Sequence, residues 1–399
     1  MLDRNGMRDW QQLEQKFYMQ TMKRVPLTLV KGQRAKVWDE QGREYLDFVG
    51  GWAVNSLGHC HPVVVKAIKE QAQNLIQASN QFYTVPQIQL AELLVQNSCL
   101  DRVFFCNSGA EANEGAAKLA RRYGKLYLSG AYEIITTHQS FHGRTLAMVA
   151  ATGQHKFQEP YMPLPNGFKS VDYNDIRAIK AATTEQTCAI MLEPIQGEGG
   201  INMPDERYLK EVCDWCREKN ILFILDEIQT GIGRTGTLFA YEQFDVEPDI
   251  MTLAKGLGSG VPIGAFLAKE QVSVFAQGEH GSTFGGNPLV CAAAYATLKF
   301  IIDSGIPEKA KRTGRYLAEG LESLKRQFDF ITEVRGRGLL LALEFDSDIA
   351  EAVTMSCLNK GLLVNRLKPN ALRFMPPLII AEKEVDEALG ILKSVLSGR

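Results

Sequence analysis

Lys255 follows an apolar, strand-like run, Ile250-Met251-Thr252-Leu253-Ala254, and precedes Gly256, so the sequence presents a primary amine on a short, permissive turn. An amine becomes a carbonyl nucleophile when its charged form is disfavoured and its position is fixed, and a strand end in a mixed polar and apolar crevice supplies both. By itself, a lysine before a glycine is more often a solvated loop residue. Asp226 changes that balance, because it ends a second apolar run, Ile221-Leu222-Phe223-Ile224-Leu225, a short way upstream. An aldehyde cofactor with a pyridine ring needs an amine for its aldehyde and an acid to keep its ring nitrogen protonated, so the pair points to pyridoxal 5'-phosphate.

Three further loops carry groups suited to the same task. After Val103-Phe104-Phe105 comes Asn107-Ser108-Gly109-Ala110-Glu111-Ala112-Asn113, a small-residue turn opening a helix. Its hydroxyl and free N–H groups can cradle a phosphate at the positive end of the helix dipole, and Ser108 equally suits a plain N-cap. Ser140-Phe141-His142-Gly143-Arg144-Thr145 offers an aromatic face for a ring and a guanidinium for a carboxylate. Glu193-Pro194-Ile195-Gln196-Gly197-Glu198-Gly199-Gly200 places two carboxylates on a glycine-rich loop. Chemistry-bearing loops at successive strand ends are what open α/β sheets use to bind ligands.

Other patterns point elsewhere and are weaker. Gly231-Ile232-Gly233-Arg234-Thr235-Gly236 matches a dinucleotide-binding spacing, but five residues separate it from its strand, and the first of them, Asp226, would repel a pyrophosphate. Cys213-Asp214-Trp215-Cys216 lies within an amphipathic run, 208–219, and lacks a second pair for zinc. His59-Cys60-His61 runs into Pro62 and a helical pattern, which reads as a helix entry, so no metal is expected.

The positioning elements follow from periodicity. Helical patterns cover 10–22, 63–75, 91–96, 112–123 and 209–219, and a hairpin is expected from 36–39 and 44–48 around Gly42. Continuous apolar strands at 103–105, 133–135, 188–192 and 221–225 alternate with helices, which argues for a mainly parallel sheet covered on both faces. Beyond residue 285 come long helices at 289–302 and 307–326, strands at 339–345, 362–365 and 372–374, and a closing helix at 383–396. The expected fold is therefore α/β, with a large domain over 56–285 and a smaller α+β domain built from 286–399 and the N-terminal segment 1–55.

Composition narrows the partners. The chain has 399 residues with 44 Lys plus Arg against 46 Asp plus Glu, a net charge of −2, so nothing in it favours nucleic acid or an anionic membrane surface. No apolar stretch reaches the length of a membrane span, and Met1-Leu2-Asp3-Arg4-Asn5 lacks the apolar core of a signal peptide, which suggests a cytoplasmic protein. Eight scattered cysteines show no disulfide framework, and reduced thiols fit that compartment.

Taken in order, these loops together with Asp226-Glu227-Ile228-Gln229-Thr230-Gly231, Lys255-Gly256 and Ser282-Thr283-Phe284-Gly285-Gly286-Asn287-Pro288 resemble the class III pyridoxal-phosphate aminotransferases of fold type I over nearly the whole chain. Arg24-Val25-Pro26-Leu27, the stretch from Asp47 to Val54 and that from Leu372 to Leu378 resemble the acetylornithine-type members. The resemblance implies that Lys255 forms the Schiff base and then shuttles protons, that Asp226 pairs with the ring nitrogen, and that Gln229 touches the ring hydroxyl. Phe141 and Ile228 would flank the ring, His142 would join the cofactor set, and Ser108, Gly109 and Ala110 would hold the phosphate. Thr283 would reach the phosphate of a neighbouring subunit, which implies a homodimer with shared sites.

For substrates, the resemblance implies that Arg373 takes the carboxylate beside glutamate's reacting amine and that Glu198 neutralises Arg373 when an ω-amino donor binds. Arg144 would hold the far carboxylate, with Ser282 and Trp52 in the substrate set. Relatives acting on free ornithine tend to carry Tyr where this chain has Trp52, and an indole has one donor and no acceptor, which favours an acylated amine. Trp52 could otherwise be a core aromatic of the hairpin. The implied reaction moves the δ-amine of N2-acetyl-L-ornithine to 2-oxoglutarate. The alternatives are a succinylornithine, ornithine or 4-aminobutyrate donor, or a glutamate-1-semialdehyde aminomutase, which would need no 2-oxoglutarate.

Overall fold

The computed structural model describes residues 9–398, so the N-terminal stretch Met1 to Asn5 lies outside the described residues. Three sheets organise the chain. In the first, β1 (Leu29–Gln33), β2 (Lys36–Asp39) and β3 (Glu44–Asp47) form the expected antiparallel hairpin plus one more strand. The second holds β4 (Arg102–Cys106), β5 (Glu133–Thr137), β6 (Phe168–Val171), β7 (Thr187–Leu192), β8 (Leu222–Asp226), β9 (Ile250–Leu253) and β10 (Gly264–Ala268), in spatial order β4-β10-β9-β8-β7-β5-β6. The third combines β11 (Ile331–Arg337), β12 (Leu340–Phe345), β14 (Asn365–Lys368) and β15 (Ala371–Phe374), while β13 (Leu362–Leu363) adds in parallel to β3.

The large sheet is parallel from β9 through β6, and β10 alone runs against both its neighbours. Every residue of β7, β8, β9 and β10 is buried, as strands covered on both faces must be. Helices Gly109–Tyr127 and Tyr208–Lys219 supply that cover. The first lies close because Gly115 faces Phe266 of β10, where a Cβ would come within 2.3 Å of the ring. The mainly parallel α/β architecture expected from the sequence is what forms.

Several elements escape the sequence reading for identifiable reasons. β6 is an edge strand of half-buried, mixed residues, β10 is Gly-Ala-Phe-Leu-Ala with no β-branched residue, and β11 carries Glu and Arg on its exposed side. The helix expected over 10–22 stops at Phe17, and that expected over 91–96 begins earlier, at Val85 behind the cap residue Thr84. Cys213 and Cys216 are buried within helix Tyr208–Lys219, and no cluster of metal-ligating residues occurs among the described residues. His59 instead meets Asp47 at 2.7 Å. No single helix among the described residues is long and apolar enough to cross a membrane.

Candidate active site

Five loops converge at one edge of the large sheet, where the parallel strands end: Asn107 after β4, Phe141 after β5, Glu193 after β7, Asp226 closing β8 and Lys255 after β9. Because β10 runs the other way, its entry, Val261 to Ile263, reaches the same edge. Together these loops enclose a cavity of roughly 450 Å³, lined also by Ser108, Gly109, Ala110, His142, Arg144, Ile228 and Gln229.

Asp226 is buried and heavily supported. Its Oδ2 lies 2.8 Å from His142 Nδ1 and accepts from Asn113 Nδ2 at 2.7 Å, while Oδ1 accepts from the Ile228 N–H at 3.0 Å. Burial opposes a charged His142, but the hydrogen bond and charge of Asp226, helped by Glu193, raise its pKa overall. Glu193 is also buried, which pushes it up to about 7 against the opposing charge of His142. Its two oxygens accept from the N–H groups of Phe141 at 3.0 Å and Gly197 at 3.1 Å, tying two site loops together.

Lys255 adopts φ +39°, a left-handed conformation that costs a non-glycine residue roughly 1–2 kcal/mol, so its surroundings must hold it there. The residue keeps some surface open while its amine is enclosed, and this burial, followed by the charge of Arg373, lowers its pKa from the ordinary lysine value. Glu198, Asp226 and Glu193 oppose that shift. A depressed pKa is what a lysine nucleophile requires.

The cradle opposite is equally specific. Ser108 caps helix Gly109–Tyr127, accepting the Glu111 N–H at 3.2 Å, so its capping role is real. Gly109 and Ala110, whose first-turn N–H groups have no acceptor within the helix, line the cavity. A Cβ on Gly109 would lie 2.8 Å from Ile228 Cδ1, closing the space. His142 Nε2 is buried without a hydrogen-bond partner in the protein. An anion cradle, an enclosed amine, a supported carboxylate and an aromatic face therefore fit pyridoxal phosphate.

Beside this cavity, Arg373 of β15 is 1% exposed and meets Glu198 at 2.8 Å. Its other contacts are Gln229 Oε1 at 3.0 Å, the Gly197 carbonyl at 2.9 Å and Asn365 Oδ1 at 2.9 Å. Burial lowers the pKa of Arg373 against the pull of Glu198; for Glu198, burial raises it but the charge and hydrogen bond of Arg373 lower it overall. The ion pair thus joins a carboxylate side chain that is 37% exposed to a sealed guanidinium. Arg144 lies at the cavity mouth with its guanidinium 3.7 Å from the centre of the Phe157 ring.

Not every expected residue enters the cavity. Ser282 and Thr283 line an adjoining one with Phe104, Glu111 and His280, and Ser282 Oγ accepts from Asn107 Nδ2 at 3.2 Å. Trp52 is 45% exposed and is not a hairpin core aromatic. It sits on four successive left-handed residues, Gly50, Gly51, Trp52 and Ala53, with φ from +57° to +64°. That run follows from Gly50-Gly51 and from close packing, since a Cβ on Gly50 would come within 2.6 Å of the Met375 carbonyl. Three contributors went unassigned from the sequence: Asn113, Glu193 and Phe157. Asn113 lies one helical turn beyond Gly109, and that spacing was the available signal.

The fold and the site define a pyridoxal-phosphate-dependent transferase that uses a lysine amine. The model of the family Aminotransferase class-III matches residues 17–396, and the chain belongs to that family. It is an aminotransferase that takes an amino donor and an oxo acid. It is 54% identical over 385 residues to the acetylornithine aminotransferase of Caldanaerobacter subterraneus subsp. tengcongensis, covering 96% of this chain and 98% of that one. To the acetylornithine aminotransferase of Methanocaldococcus jannaschii it is 50% identical, with 98% of each covered. Among solved structures, the ornithine aminotransferase of Toxoplasma gondii matches with a TM-score of 0.94 at 36% identity, covering 98% of this chain and 94% of that one.

Proposed function

We propose that the protein transfers the δ-amine of N2-acetyl-L-ornithine to 2-oxoglutarate, giving N-acetyl-L-glutamate 5-semialdehyde and L-glutamate. The observation that carries this reading is the Arg373–Glu198 pair, 2.8 Å apart at the edge of the lysine cavity. A transaminase must accept in one pocket a glutamate with a carboxylate beside its amine and an ω-amino donor without one. A guanidinium whose partner is the more exposed member can serve both, because Glu198 neutralises it in one half-reaction and the substrate carboxylate does so in the other. The identity to acetylornithine aminotransferases supports the donor.

In this reading Ser108, Gly109 and Ala110 hold the cofactor phosphate, Phe141 and Ile228 flank its ring, Gln229 meets its hydroxyl, and Asp226, oriented by His142 and Asn113, keeps the ring nitrogen protonated. The cofactor, when bound, supplies the electron sink that acidifies the carbon bearing the amine. Lys255, its pKa depressed by burial, would act as the general acid–base that shuttles the proton between that carbon and the cofactor. Arg144 holds the distal carboxylate and Trp52 borders the donor.

Thr283 acts across a homodimer in the same reading, and Ser282 belongs to the substrate set. Phe82, Tyr83, Val85, Ile88 and Phe284 are exposed, and Asn80 Nδ2 ties the first segment to the second by donating to the carbonyls of Ser282 at 2.9 Å and Gly285 at 3.0 Å. An apolar surface of that kind suits a second copy of the chain. The division into 1–55, 56–285 and 286–399 belongs to the proposal as well, and the pairing of β13 with β3 supports joining its outer parts. A cytoplasmic location belongs to the proposal too.

A single half-reaction tests the donor. Mixed without oxo acid, N-acetylornithine should bleach the visible cofactor band much faster than ornithine or 4-aminobutyrate. Faster bleaching by free ornithine, the substrate named for the Toxoplasma gondii enzyme, would replace the acetylated donor.

A further inference from the structure

We infer that Asp47 and His59 are positioning residues for the donor site: their side chains close a loop whose tip is the left-handed turn bearing Trp52. His59 Nε2 meets Asp47 Oδ2 at 2.7 Å, and the two residues stand 12 apart in sequence. The other Asp47 oxygen, Oδ1, accepts the N–H groups of Val49 at 2.9 Å and Gly50 at 3.0 Å, the entry to the turn. One buried carboxylate thus holds both ends of the segment, and an enclosed acceptor with three donors has little freedom to move.

The remaining contacts of the loop lead toward the chemistry. Met375 N–H donates to the Phe48 carbonyl at 2.8 Å, joining the segment to the strand that carries Arg373. Val54 lines the lysine cavity, and Ser56 Oγ donates to the carbonyl of Gly256, next to Lys255, at 3.1 Å. On the far side, the His59 backbone pairs with Arg34 in both directions, and its ring rests on Gly32, where a Cβ would come within 2.7 Å. His59 is therefore fixed by the N-terminal sheet and passes that constraint through Asp47 to a turn whose conformation Trp52 and Ala53 would not adopt unaided. Asp47 and His59 do not line the lysine cavity, which separates their role from that of a catalytic residue.

The inference rests on the proposed donor, so its test has a readout independent of it. His59→Leu removes the bond, His59→Gln retains an N–H donor, and Asp47→Asn changes the partner. In each holoenzyme the two half-reactions would be followed separately at varied N-acetylornithine or glutamate. Acrylamide quenching of Trp52 would be measured in W10F/W38F/W215F backgrounds. For His59→Leu the donor concentration giving half-maximal rate should rise about 10-fold with little change in the limiting rate, while glutamate shifts less than about twofold, because misplacement of a positioning group acts on binding of the ligand it borders. Quenching of Trp52 should change as well, and His59→Gln should restore both properties. Equal losses in both half-reactions with quenching unchanged would show that the pair only supports folding. If His59→Leu yields no folded holoenzyme, Asp47→Asn carries the same comparison. A wild-type enzyme that ignores N-acetylornithine would overturn the donor assignment, and quenching alone would then decide the role of the pair.

Discussion

Two buried arginines bridge the large sheet to the C-terminal sheet, and they are partnered in different ways, Nη2 of Arg234 having no hydrogen-bond partner among the described residues. Arg373 meets a half-exposed carboxylate, Glu198, in addition to Gln229 and the Gly197 carbonyl. Arg234, 2% exposed, donates to the backbone carbonyls of Leu339 at 3.0 Å and Pro376 at 2.6 Å, and burial lowers its pKa to about 9. Carbonyls cannot leave, whereas a carboxylate at the surface of a cavity can. The same division separates neighbours on one strand end. Asp226 faces the cavity among His142 and Asn113, whereas Glu227 turns inward to accept from Ala240 N–H, Tyr241 N–H and Thr230 Oγ1, each at 2.8 Å. A buried charge is available to a ligand when it faces a cavity or its partner can be exchanged; one that faces only fixed protein groups is structural.

Substitutions on each side of this divide should separate activity from stability. Lys255→Ala should lower turnover at least about 10,000-fold and abolish the visible cofactor band, with cooperative thermal unfolding kept. Turnover within tenfold of wild type would remove Lys255 from the chemistry. Arg234→Met should act on stability instead, costing about 3 kcal/mol through lost packing and two unpaired carbonyls. Urea unfolding would show this, and an altered ratio of the two half-reactions would blur the contrast with Arg373. Arg373→Ala should reduce kcat/KM for glutamate about 100-fold, roughly 2.7 kcal/mol, with a smaller effect on the ω-amino donor.

Glu198→Ala should do the reverse, slowing the donor half-reaction about 10-fold relative to glutamate, because Arg373 is then left unneutralised. Equal loss in both half-reactions is the result that breaks the exchange argument. The last effect is on the pH dependence of stability. Burial raises Glu227 from 4.5 to about 7 in the folded chain, so the folded state holds a proton that the unfolded state releases first. Its contribution is complete below pH 4.5 and is lost as pH rises through 7, a decline of up to about 1.4 kcal/mol per pH unit. Glu227→Gln should flatten that slope in equilibrium urea titrations; an unchanged slope would assign it to other groups.

The sequence exposed the strand-end residues well because their signals are local. An apolar run ending in Asp226, another ending before Lys255 and a small-residue turn at Ser108 each state their element and their chemistry within a few positions. β10 was illegible because its burial is set by neighbours and not by its own composition, and it decides which residues, Val261 to Ile263, close the cavity. The roles of Asn113 and Glu193 were hidden for a related reason: each acts on a group distant in the chain, Asp226 in one case and the Phe141 loop in the other.

By itself the sequence determined the alternation of strand and helix, the placement of an amine and an acid at strand ends, and the family to which those loops belong. Only the tertiary structure decided that Arg373 and Glu198, 175 positions apart in the numbering, meet at 2.8 Å, and that Ser282 and Thr283 turn to a separate cavity. It also decided that Trp52 stands exposed on a left-handed turn held by Asp47. The physical reason is that apolar periodicity is a property of adjacent residues, whereas partnering of buried charge is a property of whichever distant segments the packed sheets bring into contact.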